Sequence, residues 1–107
     1  MTHRLSDELI CPVYRLQNII GGKWKIIILY ELSTQTRRFN ELQRSIPGIS
    51  KGILTQQLRE LEADHMIHRE VYKEVPPKVE YSLTTLAQSF IPIIQSMDEW
   101  GREYLGS

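Results

Sequence analysis

At 107 residues, with 41% hydrophobic and 24% charged side chains, the chain has the composition of one globular domain and not of a disordered or fibrous segment. Thirteen Lys and Arg balance thirteen Asp and Glu, so a basic surface for a polyanion has to be made by folding rather than by net charge. The single cysteine excludes an internal disulfide framework and fits a reducing cytoplasm, and with no run near ~18 apolar residues a membrane-spanning helix is excluded.

Residues 1–10, mixed in character and without the apolar stretch of a secretory leader, read as an N-terminal arm. The domain is expected over 11–107. Cys11-Pro12 marks a helix start, since proline suits the first helical position, and Val13, Leu16, Ile19 and Ile20 follow at helical spacing until Gly21-Gly22. A second helix is predicted from Lys23 to about Leu32, with Trp24, Ile27, Ile28 and Leu32 as its buried side. Trp24 within such a set is read as core rather than as a stacking platform. Lys23 and Lys25 stand at that helix's N-terminus, where the dipole opposes them. They read as solvated or as phosphate contacts.

Residues 34–38, with Ser33 at their edge, form a polar connection, and Arg37-Arg38-Phe39 reads as a short extended piece entering a helix from Asn40, its expected cap, to about Ser45. The turn Pro47-Gly48-Ile49 then leads to Ser50, an N-cap for a helix from Lys51 to Asp64. Leu54, Leu58 and Leu61 make its core stripe, while Gly52, Gln56, Arg59 and Ala63 lie opposite with Thr55 at the flank. Gln and Arg carry planar heads suited to adenine and guanine edges, and small residues let a helix settle into a groove. The outer face alone more often marks a solvated surface. Two short helices joined through a glycine-containing turn, however, form the helix-turn-helix pattern, here over 40–64.

Beyond His65-Met66 the periodicity changes. Ile67–Val75 and Val79–Leu83 read as two strands around Pro76-Pro77, with Arg69, Lys73 and Lys78 placing positive charge on the hairpin. A hairpin at 67–83 directly after a helix-turn-helix is a wing. Thr84 or Thr85 then caps a last helix over 85–104, in which Leu86, Phe90, Ile93, Met97, Trp100 and Tyr104 repeat at spacings of 4 and 3. Pro92 should kink it or mark its true start nearer Ile93. An apolar stripe of that length in a small chain needs a partner, and the simplest is a second copy packed with the first helix. The expected interface is Val13, Leu16, Ile20, Phe90, Ile93, Met97, Trp100 and Tyr104.

The segments CPVYRLQNIIGGKWKIIILYEL, RRFNELQRSIPGISKGILTQQLRELEAD and EVPPKVEYSLTTLA, with the closing EWG, resemble the HxlR-type winged helix-turn-helix transcriptional regulators of bacteria and archaea over residues 11–104. That resemblance implies a mainly α fold with a small β hairpin and additional N- and C-terminal dimerisation helices. It also implies a homodimer on double-stranded DNA, whose recognition helix enters the major groove through Ser50, Lys51, Gly52, Thr55, Gln56 and Arg59. The wing contacts would fall on Lys73 and Lys78, and further phosphate contacts on Arg37, Arg38 and Asn40. Cys11 matches a position that senses oxidants or electrophiles in a subset of such regulators. Helix N-termini favour thiolates, although a free cysteine more often acts as a small apolar side chain.

Other chemistry has little footing. His65 and His68 stand at H-x-x-H spacing across a helix end with no third ligand, so no metal is expected. Neither phosphate-binding glycine motif occurs, and no Ser/His/Asp or Cys/His set shares a credible pocket. Neither an enzyme nor a cofactor is expected, and no effector is indicated. The competing reading is a winged-helix module that binds protein instead of DNA.

Overall fold

The computed structural model describes residues 11–106. The arm predicted for 1–10 lies outside them. Among the described residues, five helices and three short strands run in the order α1 (Pro12–Ile20), α2 (Lys25–Leu32), β1 (Arg37–Arg38), α3 (Phe39–Ser45), α4 (Lys51–Ala63), β2 (Ile67–Tyr72), β3 (Lys78–Leu83) and α5 (Thr85–Leu105).

Local chemistry explains most boundaries. Pro12 opens α1 behind Cys11. The Ser50 hydroxyl accepts from the Ile53 amide at 3.2 Å and starts α4. Gly48 takes φ +87° in the turn before it, a conformation that side chains resist. The end of α4 is a Schellman arrangement. The Met66 amide donates to the Leu61 carbonyl at 2.9 Å and the His65 amide to the Glu62 carbonyl at 3.0 Å. His65 therefore sits at φ +60°, where glycine is usual. Thr84 caps α5 by accepting from the Ala87 amide at 3.1 Å, and its hydroxyl lies 2.7 Å from the His65 carbonyl, which ties the end of α4 to the start of α5.

The core gathers Leu54, Leu58 and Leu61 of α4 with Ile28, Leu29 and Leu32 of α2, Leu42 of α3, Tyr81 of β3, and Ala87, Phe90 and Ile94 of α5. Three expectations change here. On α2 the buried face is Lys25, Ile28, Leu29 and Leu32, whereas Ile27 is exposed and Trp24 only partly covered. An all-apolar run such as Ile26-Ile27-Ile28-Leu29 carries no periodic signal of its own orientation. Asn40 is not a cap but the second residue of α3, because Arg38 precedes the helix and its amide donates to the Glu41 carboxylate at 2.7 Å. Pro92 stands inside α5, which begins at Thr85.

The sheet is antiparallel with order β1-β3-β2. β3 pairs with β2 from Ile67 opposite Leu83 to Tyr72 opposite Lys78, and with β1 through Arg37 opposite Tyr81 and Arg38 opposite Glu80. The two-residue β1 thus fastens the wing to the entrance of the helix-turn-helix.

On α5 the buried residues are Ala87, Phe90 and Ile94, all in its first half. Leu86, Ile93, Met97, Trp100, Tyr104 and Leu105 are large, apolar and exposed. Phe90 and, on α1, Ile20 are buried in the chain's own core, so the expected interface loses both. Of that seam Phe90 is taken into the domain's core, while Leu86 and Ile93 on either side of it stay exposed.

Candidate nucleic-acid interface

The three leucines that bury one side of α4 turn the other side outward. Ser50, Lys51, Gly52, Gln56 and Arg59 are exposed and Thr55 partly so. A shallow concavity of about 400 Å³ runs over Lys51, Gly52, Thr55, Gln56, Arg59 and Glu60. A second, of about 380 Å³, lies toward the wing and is lined by Thr55, Leu58, Arg59, Glu62, Arg69 and Tyr81. Arg59 and Thr55 belong to both, so they stand on the ridge between the two hollows. The Thr55 hydroxyl donates to the Lys51 carbonyl at 2.8 Å, which leaves its methyl group and an acceptor lone pair for any ligand.

Arg69 was legible only as one of the wing's charges. Its place beside α4 follows from strand alternation, since Ile67, Arg69 and Val71 share a face and Ile67 is buried against the helices. Lys73 is exposed near the tip of the hairpin. Lys78 is more constrained, with its ammonium 4.4 Å from the centre of the Tyr72 ring and 4.0 Å from a Glu80 carboxylate oxygen.

The remaining cations divide. Lys23 is exposed, its ammonium 4.8 Å from the Trp24 ring centre, and Arg38 and Asn40 are exposed at the start of α3. Arg37 is mostly covered, with its guanidinium 3.6 Å from Glu31 and its Nε buried without a partner among the described residues. Lys25 does not contact solvent as a phosphate ligand would. It is 6% exposed, and its ammonium lies 2.6 Å from Glu60 on α4. A buried ammonium needs a paired carboxylate, and α4 supplies one. Lys25 thereby holds the Glu60 carboxyl below the usual glutamate range, chiefly by hydrogen bonding and then by charge, with Gln56 adding a smaller contribution.

A family profile described as HxlR-like helix-turn-helix matches residues 19–107. The chain belongs to the HxlR-like helix-turn-helix family. Among its relatives, YdeP of Bacillus subtilis (strain 168), described as an uncharacterized HTH-type transcriptional regulator, is 55% identical over 94 residues, or 88% of this chain and 73% of YdeP. A protein of Methanothermobacter thermautotrophicus with the same description is 50% identical over 99 residues, covering 92% of this chain and 76% of the relative. The solved structure of the redox regulator HypR in its reduced form superposes with a TM-score of 0.83 at 52% identity, covering 87% of this chain and 92% of HypR. The HxlR-like fold, mainly helical with a small antiparallel sheet, is thus shared with transcriptional regulators. Among the described residues no helix is long and apolar enough to cross a membrane.

Proposed function

We propose that the chain is a cytoplasmic regulator that binds DNA sequence-specifically as a homodimer on a pseudo-palindromic operator. The observation that carries this reading is the outer face of α4, which is exposed, furnished with Thr55, Gln56 and Arg59, and flanked by a wing bearing Arg69 and Lys73. Base discrimination comes from those three α4 residues, while Ser50, Lys51 and Gly52 seat the helix start. Phosphate attraction comes from Lys23, Arg38, Lys51 and Lys73, with Asn40 donating nearby. Arg37 and Lys78, already engaged within the chain, take secondary places.

The partner surface is the stripe of Ile93, Met97, Trp100 and Tyr104 on α5 together with Val13 and Leu16 of α1. Val13 is 72% and Trp100 58% exposed in the single chain, and surplus apolar area of this extent is characteristic of an interface. Selection of genomic fragments by the purified protein should recover a motif with two-fold symmetry and half-sites about 34 Å apart, bound by two chains. Failure to retain any duplex at low salt would overturn the reading and favour a protein-binding use of the fold.

A thiol response at Cys11 is a second element of the proposal, supported by the likeness to a redox regulator solved in reduced and oxidized forms. With one cysteine per chain, peroxide can oxidise two Cys11 thiols from two subunits to one disulfide, the peroxide being reduced to two waters, or can oxidise one thiol that a small thiol then caps. Cys11 is buried where α1 begins, so oxidation would have to displace that helix, which also carries Val13 and Leu16.

A further inference from the structure

Lys25 occupies an unfavourable place for a lysine. It is the first residue of α2, where the helix dipole disfavours a cation, and it is buried. What holds it there is Glu60 on the neighbouring helix. The Glu60 carboxylate divides its two oxygens, Oε1 facing the Lys25 ammonium at 2.6 Å and Oε2 accepting from the Gln56 amide at 3.3 Å. Because a carboxylate can only accept, the group of Gln56 that faces it must be the NH2, and the Gln56 carbonyl oxygen and the second N–H of that NH2 are left for a ligand. The chain Lys25–Glu60–Gln56 therefore runs from the interior of the domain to the middle of the concavity over α4.

We propose that Lys25 is a positioning residue for base readout, acting through Glu60 to hold the Gln56 carboxamide in one orientation, with one N–H engaged by Glu60 and the carbonyl oxygen and second N–H offered to a base. The inference rests on α4 being the DNA-reading helix. A glutamine free to flip offers its acceptor and donor in either order. A glutamine held in one orientation, with one N–H engaged, keeps a fixed edge of carbonyl oxygen and second N–H, the pattern that adenine matches through its N6 amino group and N7. Pairing with Lys25 also neutralises a carboxylate that would otherwise face the phosphates uncompensated.

The test is selection from a randomised duplex pool, followed by binding measurements on single-base variants of the enriched site. Gln56→Ala identifies the base pair that Gln56 reads. At that pair the wild type should prefer adenine. Lys25→Met, which keeps the length and apolar stem of the side chain, should reduce that preference about fivefold or more, the lower range of one directed base contact, and leave the other positions unchanged. In a Gln56→Ala background it should add nothing, as expected when two residues act through one contact. Lys25→Arg should restore the preference. If Lys25→Met does not fold, Glu60→Ala replaces it, because Glu60 lies at the surface with its side chain 43% exposed. A uniform loss across all positions, or an unchanged preference at the Gln56 pair, overturns the inference while leaving the DNA-binding reading intact. Failure of the wild type to enrich any sequence overturns both.

Discussion

Replacing Trp100 by alanine removes the largest exposed apolar side chain of α5. A tryptophan buries about 200–250 Å², and with 58% of Trp100 open to solvent in the single chain roughly 130 Å² remains for a partner to cover. At ~25 cal/mol per Å² this corresponds to about 3 kcal/mol for each copy, and a two-fold interface contains two. Tyr104, whose ring centre lies 5.1 Å from that of Trp100, would lose part of its support as well. Buried area converts to affinity incompletely, because association also orders side chains. Even at half yield the dimer weakens by about 3 kcal/mol, on the order of a 100-fold rise in the dissociation constant. The variant's own fold should be little affected, since the α5 residues in the core are Ala87, Phe90 and Ile94. Sedimentation equilibrium over a wide concentration range reads the change directly. A Trp100→Ala dimer as tight as the wild type, or a wild type that stays monomeric at high concentration, would refute the assignment of this stripe.

Three further outcomes are expected. His65→Gly should raise stability by about 0.5–1 kcal/mol in urea unfolding, since the left-handed conformation at φ +60° costs a side-chain-bearing residue more than glycine's extra unfolded-state entropy; a loss of stability would contradict the Schellman assignment. Because Glu60 is held below its ordinary pKa of 4.5, its stabilising contribution is complete above that value and disappears as pH falls through the lowered one. Glu60→Gln should therefore show a smaller loss of stability between neutral and acid pH than the wild type, and parallel curves would show that the Lys25 pair contributes nothing. Cys11→Ser should bind the operator as the wild type does but fail to change its binding under peroxide or quinone, whereas an unchanged wild-type response in the variant would remove the thiol from the account.

How much of this was legible in the chain varies with how local the cause is. The start of α4 needed only Pro47, Gly48 and Ser50, and its buried face only the spacing of Leu54, Leu58 and Leu61; both stand as read. The hairpin was legible too, although its first strand ends at Tyr72 rather than Val75 and its second begins at Lys78, but the third strand of the sheet was not. Arg37 and Arg38 read as extended, yet their pairing with Tyr81 and Glu80 joins positions more than forty residues apart, and no local pattern encodes that. The same holds for Lys25. Dipole and periodicity suggested a surface cation with nothing to gain, and its partner is a carboxylate on another helix. Gln56 and Glu60, four residues apart on α4, did carry a readable signal for their contact. On α5 and α1 the pattern located the apolar stripe but could not divide it between the domain's own core, which takes Ile20 and Phe90, and the surface left to a partner.

If α4 is the reading helix, its outer face discriminates base sequence. The most direct measurement is the affinity of wild type and Arg59→Ala for the selected operator and for a shuffled duplex of equal length, titrated in parallel at several salt concentrations. Arg59→Ala should lose about 1–3 kcal/mol on the operator and much less on the shuffled duplex, with the salt dependence on the latter nearly unchanged. Equal losses on both duplexes would contradict it, as would a wild type that binds the two alike.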